Sequence, residues 1–215
     1  MEPPSEMVHW LFGMCLLLLG LIMLAEVIVG PEVWRRRAWR IYLWPGIAFG
    51  LGVAMWPVMT FFTNSAIHMV AHGVWAQALM VMGGAELGLA KGKLTSHWWK
   101  LATPVGLVVS GAAFLVHEQN GWFFARSAFL HHLVGWTLVG MALLTLTLVF
   151  RPRSVVIKSA FALSIVALSV MLFSDRDLAP VFLARAGTML RIEVIEDRLR
   201  TERLAIARRL VNLPA

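Results

Sequence analysis

IHMVAHGVWAQALMVMGGAELGLA, residues 67–90, decides how this chain folds. Its only formal charge is Glu86, near the far end. At ~1.5 Å per residue the run is long enough to cross ~30 Å of hydrocarbon as a helix. Five more runs of the same kind occupy 7–30, 41–62, 98–117, 129–150 and 155–173, separated by short polar or Pro/Gly-containing breaks. The run at 98–117 has the shortest purely apolar part. Its Thr103-Pro104 falls near the first turn, where a proline removes no helical hydrogen bond.

Composition agrees with these spans. Of 215 residues, 59% are hydrophobic and 14% charged, too few polar groups to keep the surface of a soluble domain wet. The predicted fold class is all-α integral membrane: a six-transmembrane-helix bundle over residues 1–175, followed by a C-terminal amphipathic helix within 176–215. The opening MEPPSEMVHW has two acidic residues and no Lys or Arg, so the first helix is expected to stay rather than be cleaved as a signal peptide. One cysteine, Cys15, excludes an intramolecular disulfide and a cysteine-only metal site.

The net charge of +7 is distributed by loop. Arg35, Arg36, Arg37 and Arg40 follow the first span, Lys91, Lys93 and Lys100 follow the third, and Arg151, Arg153 and Lys158 follow the fifth. The loop around TNSA has no basic residue, and the one at EQNGWFFARSA has only Arg126. Lys and Arg are retained on the cytoplasmic side, so the pattern predicts a multi-pass protein of the cell inner membrane with its N-terminus extracytoplasmic. Membrane orientation accounts for the basic residues, and no nucleic-acid partner is expected. Trp34, Trp39, Trp44, Trp98, Trp99 and Trp122 fall near span ends, where an amphipathic ring is at home.

The tail departs from this charge pattern, with Arg185, Arg191, Arg198, Arg200, Arg203, Arg208 and Arg209 on the predicted outer side. Ile192, Ile195, Leu199, Ile206, Leu210 and Leu213 recur there at helical spacing. Such a helix lies on the lipid bilayer surface or docks a partner, whether a membrane complex or an extracytoplasmic protein.

The topology gathers the histidines. His9, His68, His72, His117, His131 and His132 are all expected at the outer face, and His97 at the inner one. His68 and His72 stand four apart, with Cβ atoms ~6 Å from each other on one helical face. His131 and His132 point about 100° apart, so one of them faces a shared centre. Glu118 offers a carboxylate to orient a ligating imidazole. His9 and His97 are read as ordinary headgroup-level side chains. Glu86 lies about 27 Å deeper than His68, near Lys91, and is read as a snorkelling or paired carboxylate.

Imidazoles suit copper, zinc and haem iron, whereas calcium and magnesium want an oxygen cage. The predicted metal ligands are His68, His72, His117, His131 and His132, with Glu118 behind them, and copper is the first expectation. Met7, Met59 and Met69 would offer it thioethers at the same face. Haem b is the alternative, held by His72 and His131 or His132, with Arg126 on a propionate. Gly73, Gly83, Gly84, Gly106, Gly111, Gly135 and Gly140 would give the macrocycle room, though they equally serve helix packing. A zinc hydrolase with Glu118 as general base is a third reading, against which HMVAH has no Glu after its first His. A non-catalytic accessory subunit of a larger complex is the fourth.

The stretch AHGVWAQALMVMGG, residues 71–84, set among outer-face histidines and methionines, resembles copper-resistance membrane proteins of the CopD type. The histidine-bearing spans between His68 and Trp136 also resemble cytochrome b561-like membrane haem bundles. The first likeness implies extracytoplasmic copper handling. The second implies electron transport through haem b, with His72 and His131 or His132 as ligands. Di-haem bundles of that kind carry a second tier of histidines deeper in the membrane, and this chain has none.

Overall fold

The computed structural model describes residues 5–62, 66–116 and 125–174, with side chains for all of these except 5–8, 57–62, 66–69, 71 and 125–128. The tail at 176–215 lies outside the described residues. Those described are helical, joined by short turns, and no strand occurs among them.

Local chemistry sets the helix ends. Helix α1 (Ser5–Val29) stops at Gly30, whose φ of 87° suits a residue without a Cβ and whose N–H reaches the Glu26 carbonyl at 2.9 Å. Pro31 then opens the short α2 (Pro31–Arg35), where the missing N–H costs nothing. A 3-10 turn, Ala38–Tyr42, leads into α3 (Leu43–Phe62). Helix α4 (Ala66–Ala90) ends at Gly92, φ 66°, with the N–H groups of Lys93 and Leu94 folded back onto the Gly88 carbonyl. A second 3-10 turn, His97–Leu101, precedes α5 (Ala102–Val116), so the span expected at 98–117 is helical in two registers. Helix α6 (Ala125–Phe150) ends just before Arg151-Pro152, and the Ser154 hydroxyl accepts from the Ile157 N–H at 3.4 Å at the start of α7 (Val155–Ser174).

Among the described residues, four helical stretches are long and apolar enough to cross a membrane: His9–Val29, His97–Val116, Phe129–Phe150 and Val155–Ser174. Their outward surfaces are apolar as well. Ile28, Leu11, Trp136, Phe150 and Val156 are all exposed, as expected of helices whose solvent is lipid rather than water.

The six long helices form a ring in chain order. α1 packs on α3, α3 on α4, α4 on α5, α5 on α6 and α6 on α7, and α7 returns to α1. Leu16, Leu51, Leu79, Leu107, Leu138 and Ile165 contribute one buried side chain from each helix to the common core. Glycines set the separations. A Cβ on Gly83 would lie 2.5 Å from the Phe49 nitrogen and 2.7 Å from the Pro45 carbonyl oxygen, and one on Gly111 would lie 2.8 Å from the Gly135 carbonyl oxygen. At Gly20 it would lie 2.7 Å from the Val166 side chain and 3.2 Å from the Ala162 carbonyl oxygen. Small residues at these places let membrane helices approach closely.

Gly83→Leu and Gly111→Leu should each destabilise the bundle by about 1–3 kcal/mol or more, since backbone atoms cannot give way as side chains do. Gly84→Ala, whose Cβ would meet only the Phe49 ring at 3.8 Å, should be neutral or mildly stabilising. Thermal unfolding in detergent ranks the three, and equal loss at Gly83 and Gly84 would contradict the close α3–α4 approach.

Candidate functional site

Because α1, α4 and α6 begin at the end of the ring where α5 finishes, their first turns and the last turn of α5 share one level. Phe12 of α1, Trp75 of α4 and Phe114 of α5 form an aromatic layer there. The Phe12–Trp75 ring centroids are 5.7 Å apart and the Trp75–Phe114 centroids 5.5 Å. His9 lies one turn beyond Phe12 and His72 one turn beyond Trp75, toward the same end.

His131 of α6 completes this layer. It is 4% exposed, its ring centroid is 5.6 Å from Phe114, and it meets His9 edge-on at 6.1 Å with an interplanar angle of 69°. Its neighbour His132 faces outward and is exposed, as the helical rotation between consecutive residues requires. His72 is half-buried. The structure thus brings His9 and His131 together and stations His72 above the same aromatic floor. His68 and Arg126 belong to α4 and α6, but their side chains, with those of Met7, Met59 and Met69, lie outside the described residues. His117 and Glu118 lie outside them altogether.

His9 is the residue that sequence reasoning misplaced. The order of residues shows an imidazole near a span end, but only closure of the ring turns His9 of α1 inward to meet His131 of α6 across the end of the bundle, with α7 between the two helices on the rim. His97 stays at the opposite end, exposed and stacked on Trp98 at 4.7 Å.

A ligating nitrogen stands ~2.0–2.1 Å from a divalent ion, so two imidazoles sharing one ion have centroids roughly 5–6 Å apart. The His9–His131 separation of 6.1 Å lies just beyond that range. Among the described residues, no group of three His, Cys, Asp or Glu side chains is gathered closely enough to hold a metal alone. The glycines considered as room for a macrocycle are largely spoken for: Gly83, Gly106, Gly111 and Gly135 are filled by neighbouring helices.

Beneath the aromatic layer, an apolar cavity of ≈ 80 Å³ lies among the six long helices. All six long helices line it, through Leu16, Ala48, Trp75, Ser110, Val134 and Ile165 among others. Ser110 is fully buried, and its hydroxyl has no hydrogen-bond partner among the described residues. That contrasts with Thr145, Ser164 and Ser169, which bond carbonyls of their own helices at 2.7–3.1 Å. At the basic end, the Thr103 hydroxyl donates to the Glu86 carboxylate at 2.6 Å. Glu86 is therefore a paired carboxylate, held by α5 rather than by Lys91. Lys91 instead stands 5.9 Å from the Tyr42 ring centroid, and Arg40 lies 5.1 Å over the buried Trp34.

Comparison with protein-family models, with curated proteins and with solved structures finds no match.

Two substitutions on one face of α5 should act in opposite directions. Thr103→Val removes the donor to Glu86 and should lower stability by about 1 kcal/mol. Ser110→Ala removes an unsatisfied hydroxyl from an apolar cavity at almost constant volume and should raise stability by up to about 1 kcal/mol. Chemical or thermal unfolding of both variants checks the signs, and a loss at Ser110→Ala would mean that its hydroxyl has a partner in the folded protein.

Proposed function

We propose that the chain is a six-span inner-membrane protein, with its N-terminus extracytoplasmic, that binds a redox-active transition metal at the histidine end of the bundle. Copper is the metal of choice. The observation that carries this reading is the His9–His131 pair: two imidazoles from separate helices, 6.1 Å apart, one of them 4% exposed. Imidazole is a borderline ligand that copper accepts readily, and an intramembrane ionisable group facing the bundle interior is costly without a function.

His9 and His131 supply two donors, and His72 is positioned to join them. The predicted ligands His68 and His117 would complete the set, with Glu118 orienting an imidazole. Copper bound there supplies one-electron chemistry. The aromatic layer of Phe12, Trp75 and Phe114 closes the centre from below, which keeps water out of the bundle axis and limits exchange to the outer side. The tail is assigned to the bilayer surface or to a protein partner of the same membrane system.

Haem b is the second reading, in which His72 and His131 or His132 would hold the iron from different helices, with Arg126 on a propionate, and the group would supply one-electron transfer. The filled glycines Gly83, Gly106, Gly111 and Gly135 on α4, α5 and α6 count against a macrocycle more than against a single ion.

Elemental analysis and an absorption spectrum of the purified full chain test both readings. Stoichiometric copper without a Soret band is the expected result for the wild type. His9→Ala and His131→Ala should each lower copper content at least tenfold, while His132→Ala, on the exposed face, should retain it. A Soret band sinks the copper reading in favour of haem. A metal-free protein after gentle purification and copper challenge sinks both.

A further inference from the structure

Ser110 lies midway along α5, fully buried, and its hydroxyl has no hydrogen-bond partner among the described residues. A helical serine ordinarily donates to a carbonyl three or four residues back. Thr145, Ser164 and Ser169 do so in this bundle at 2.7–3.1 Å. The carbonyls of Leu107 and Gly106 stand at the same offsets from Ser110, and its hydroxyl uses neither. A buried donor left unpaired is costly, so this one calls for an acceptor from elsewhere.

Ser110 also lines the apolar cavity of ≈ 80 Å³ among the six long helices. Trp75 and Phe114 bound it toward the histidine end, and Thr103 toward the basic end. The Thr103 hydroxyl is already donated to Glu86 at 2.6 Å, and it lies ~10 Å along α5 from Ser110. No Asp, Glu, His, Lys or Arg is among the lining residues, so an ion would find no counter-charge there.

Volume and polarity together define the occupant. The cavity exceeds the ~30 Å³ share of one water and is about half the ~150 Å³ of an apolar cavity that takes up benzene. Water needs two to four polar partners, and leucine, methionine and phenylalanine make up most of this wall. An alkane would suit the wall and leave the Ser110 donor unpaired. An alcohol would bring a donor of its own that also needs an acceptor. A carbonyl oxygen accepts from Ser110, and the carbon groups on either side of it pack against the apolar wall.

We propose that this cavity is a binding site for one small neutral carbonyl compound, a short aliphatic ketone or aldehyde of about four non-hydrogen atoms, whose oxygen accepts a hydrogen bond from the Ser110 hydroxyl. The site depends on the packing of the six helices and is independent of the histidine centre, so metal content and ketone binding can fail separately. In the ketone-free protein Ser110→Ala keeps the gain in stability expected from losing an unpaired hydroxyl.

Carbon-13 NMR of carbonyl-labelled acetone, titrated with the full-length chain in detergent and with detergent alone, reads the binding. With the wild type the carbonyl resonance should shift saturably to higher frequency, the direction of an accepted hydrogen bond. Ser110→Ala should weaken binding about fivefold and remove most of the shift, the loss of one hydrogen bond. Ser110→Leu, which fills the cavity, should abolish binding. Helicity and thermal unfolding check that both variants are folded, and the smaller alanine keeps the test readable if leucine is not accommodated. In competition against labelled acetone, butanone and longer 2-alkanones should gain about fourfold per added CH2 and stop gaining once the cavity is full. A wild-type titration that matches detergent alone overturns the proposal, whether water or another part of the chain takes the space. So does a Ser110→Ala variant with wild-type shift and affinity, or a gain that continues through long chains, which marks uptake outside the cavity.

Discussion

The seam between α1 and α7 closes the bundle, and the rest of the molecule depends on it. Gly13 faces the Phe173 ring, and Gly20 lies against the Val166 side chain and the α7 backbone at Ala162, so the first and last long helices pack closely where α1 has no side chain of its own. Closing a chain-ordered ring this way does three things at once. It buries one face of every long helix, surrounds the axial cavity, and brings His9 of α1 to His131 of α6 across the bundle end. The His9–His131 contact is a consequence of that closure.

The two ends of the ring solve different polar problems. At the basic end, charged and hydroxyl groups find partners across helices: Thr103 with Glu86, Arg40 over Trp34, Lys91 beside Tyr42. At the histidine end, imidazoles gather over an aromatic layer, and His131 is buried among rings. Aromatic walls lower the local polarity and exclude water, which strengthens any electrostatic or coordinate interaction made by the histidines. Between the ends the axis is nearly all apolar, broken by Ser110. That leaves the two polar layers separated by hydrocarbon-like packing rather than joined by a continuous hydrogen-bonded path.

The outer surface has its own logic. Exposed leucines, valines and phenylalanines are ordinary for a helix in lipid, and they need no partner. Gln77 differs as an exposed amide with no hydrogen-bond partner among the described residues, and Gly73 as a glycine whose Cβ would meet nothing within 4 Å among them.

Much of the fold was legible in the sequence. Long apolar runs, prolines and glycines at their ends, and basic residues confined to alternate loops define the helices to within a few residues, because these are local effects of backbone geometry and transfer free energy. That only one of His131 and His132 faces inward followed from helical rotation alone, whereas the structure decided that it is His131. The candidate site was legible only in part. His72 and His131 stood out by spacing and position, yet His9 read as an interfacial side chain, Glu86 was placed near Lys91 rather than Thr103, and the glycines gave no sign of which helix each would meet. The sequence by itself determined that the chain is helical, apolar and polarised between a histidine end and a basic end. Only the tertiary structure decided which helices are neighbours. Neighbour choice depends on the fit of small residues against facing backbones far away in the chain, and that complementarity is a property of pairs of surfaces, invisible in either strand of sequence alone.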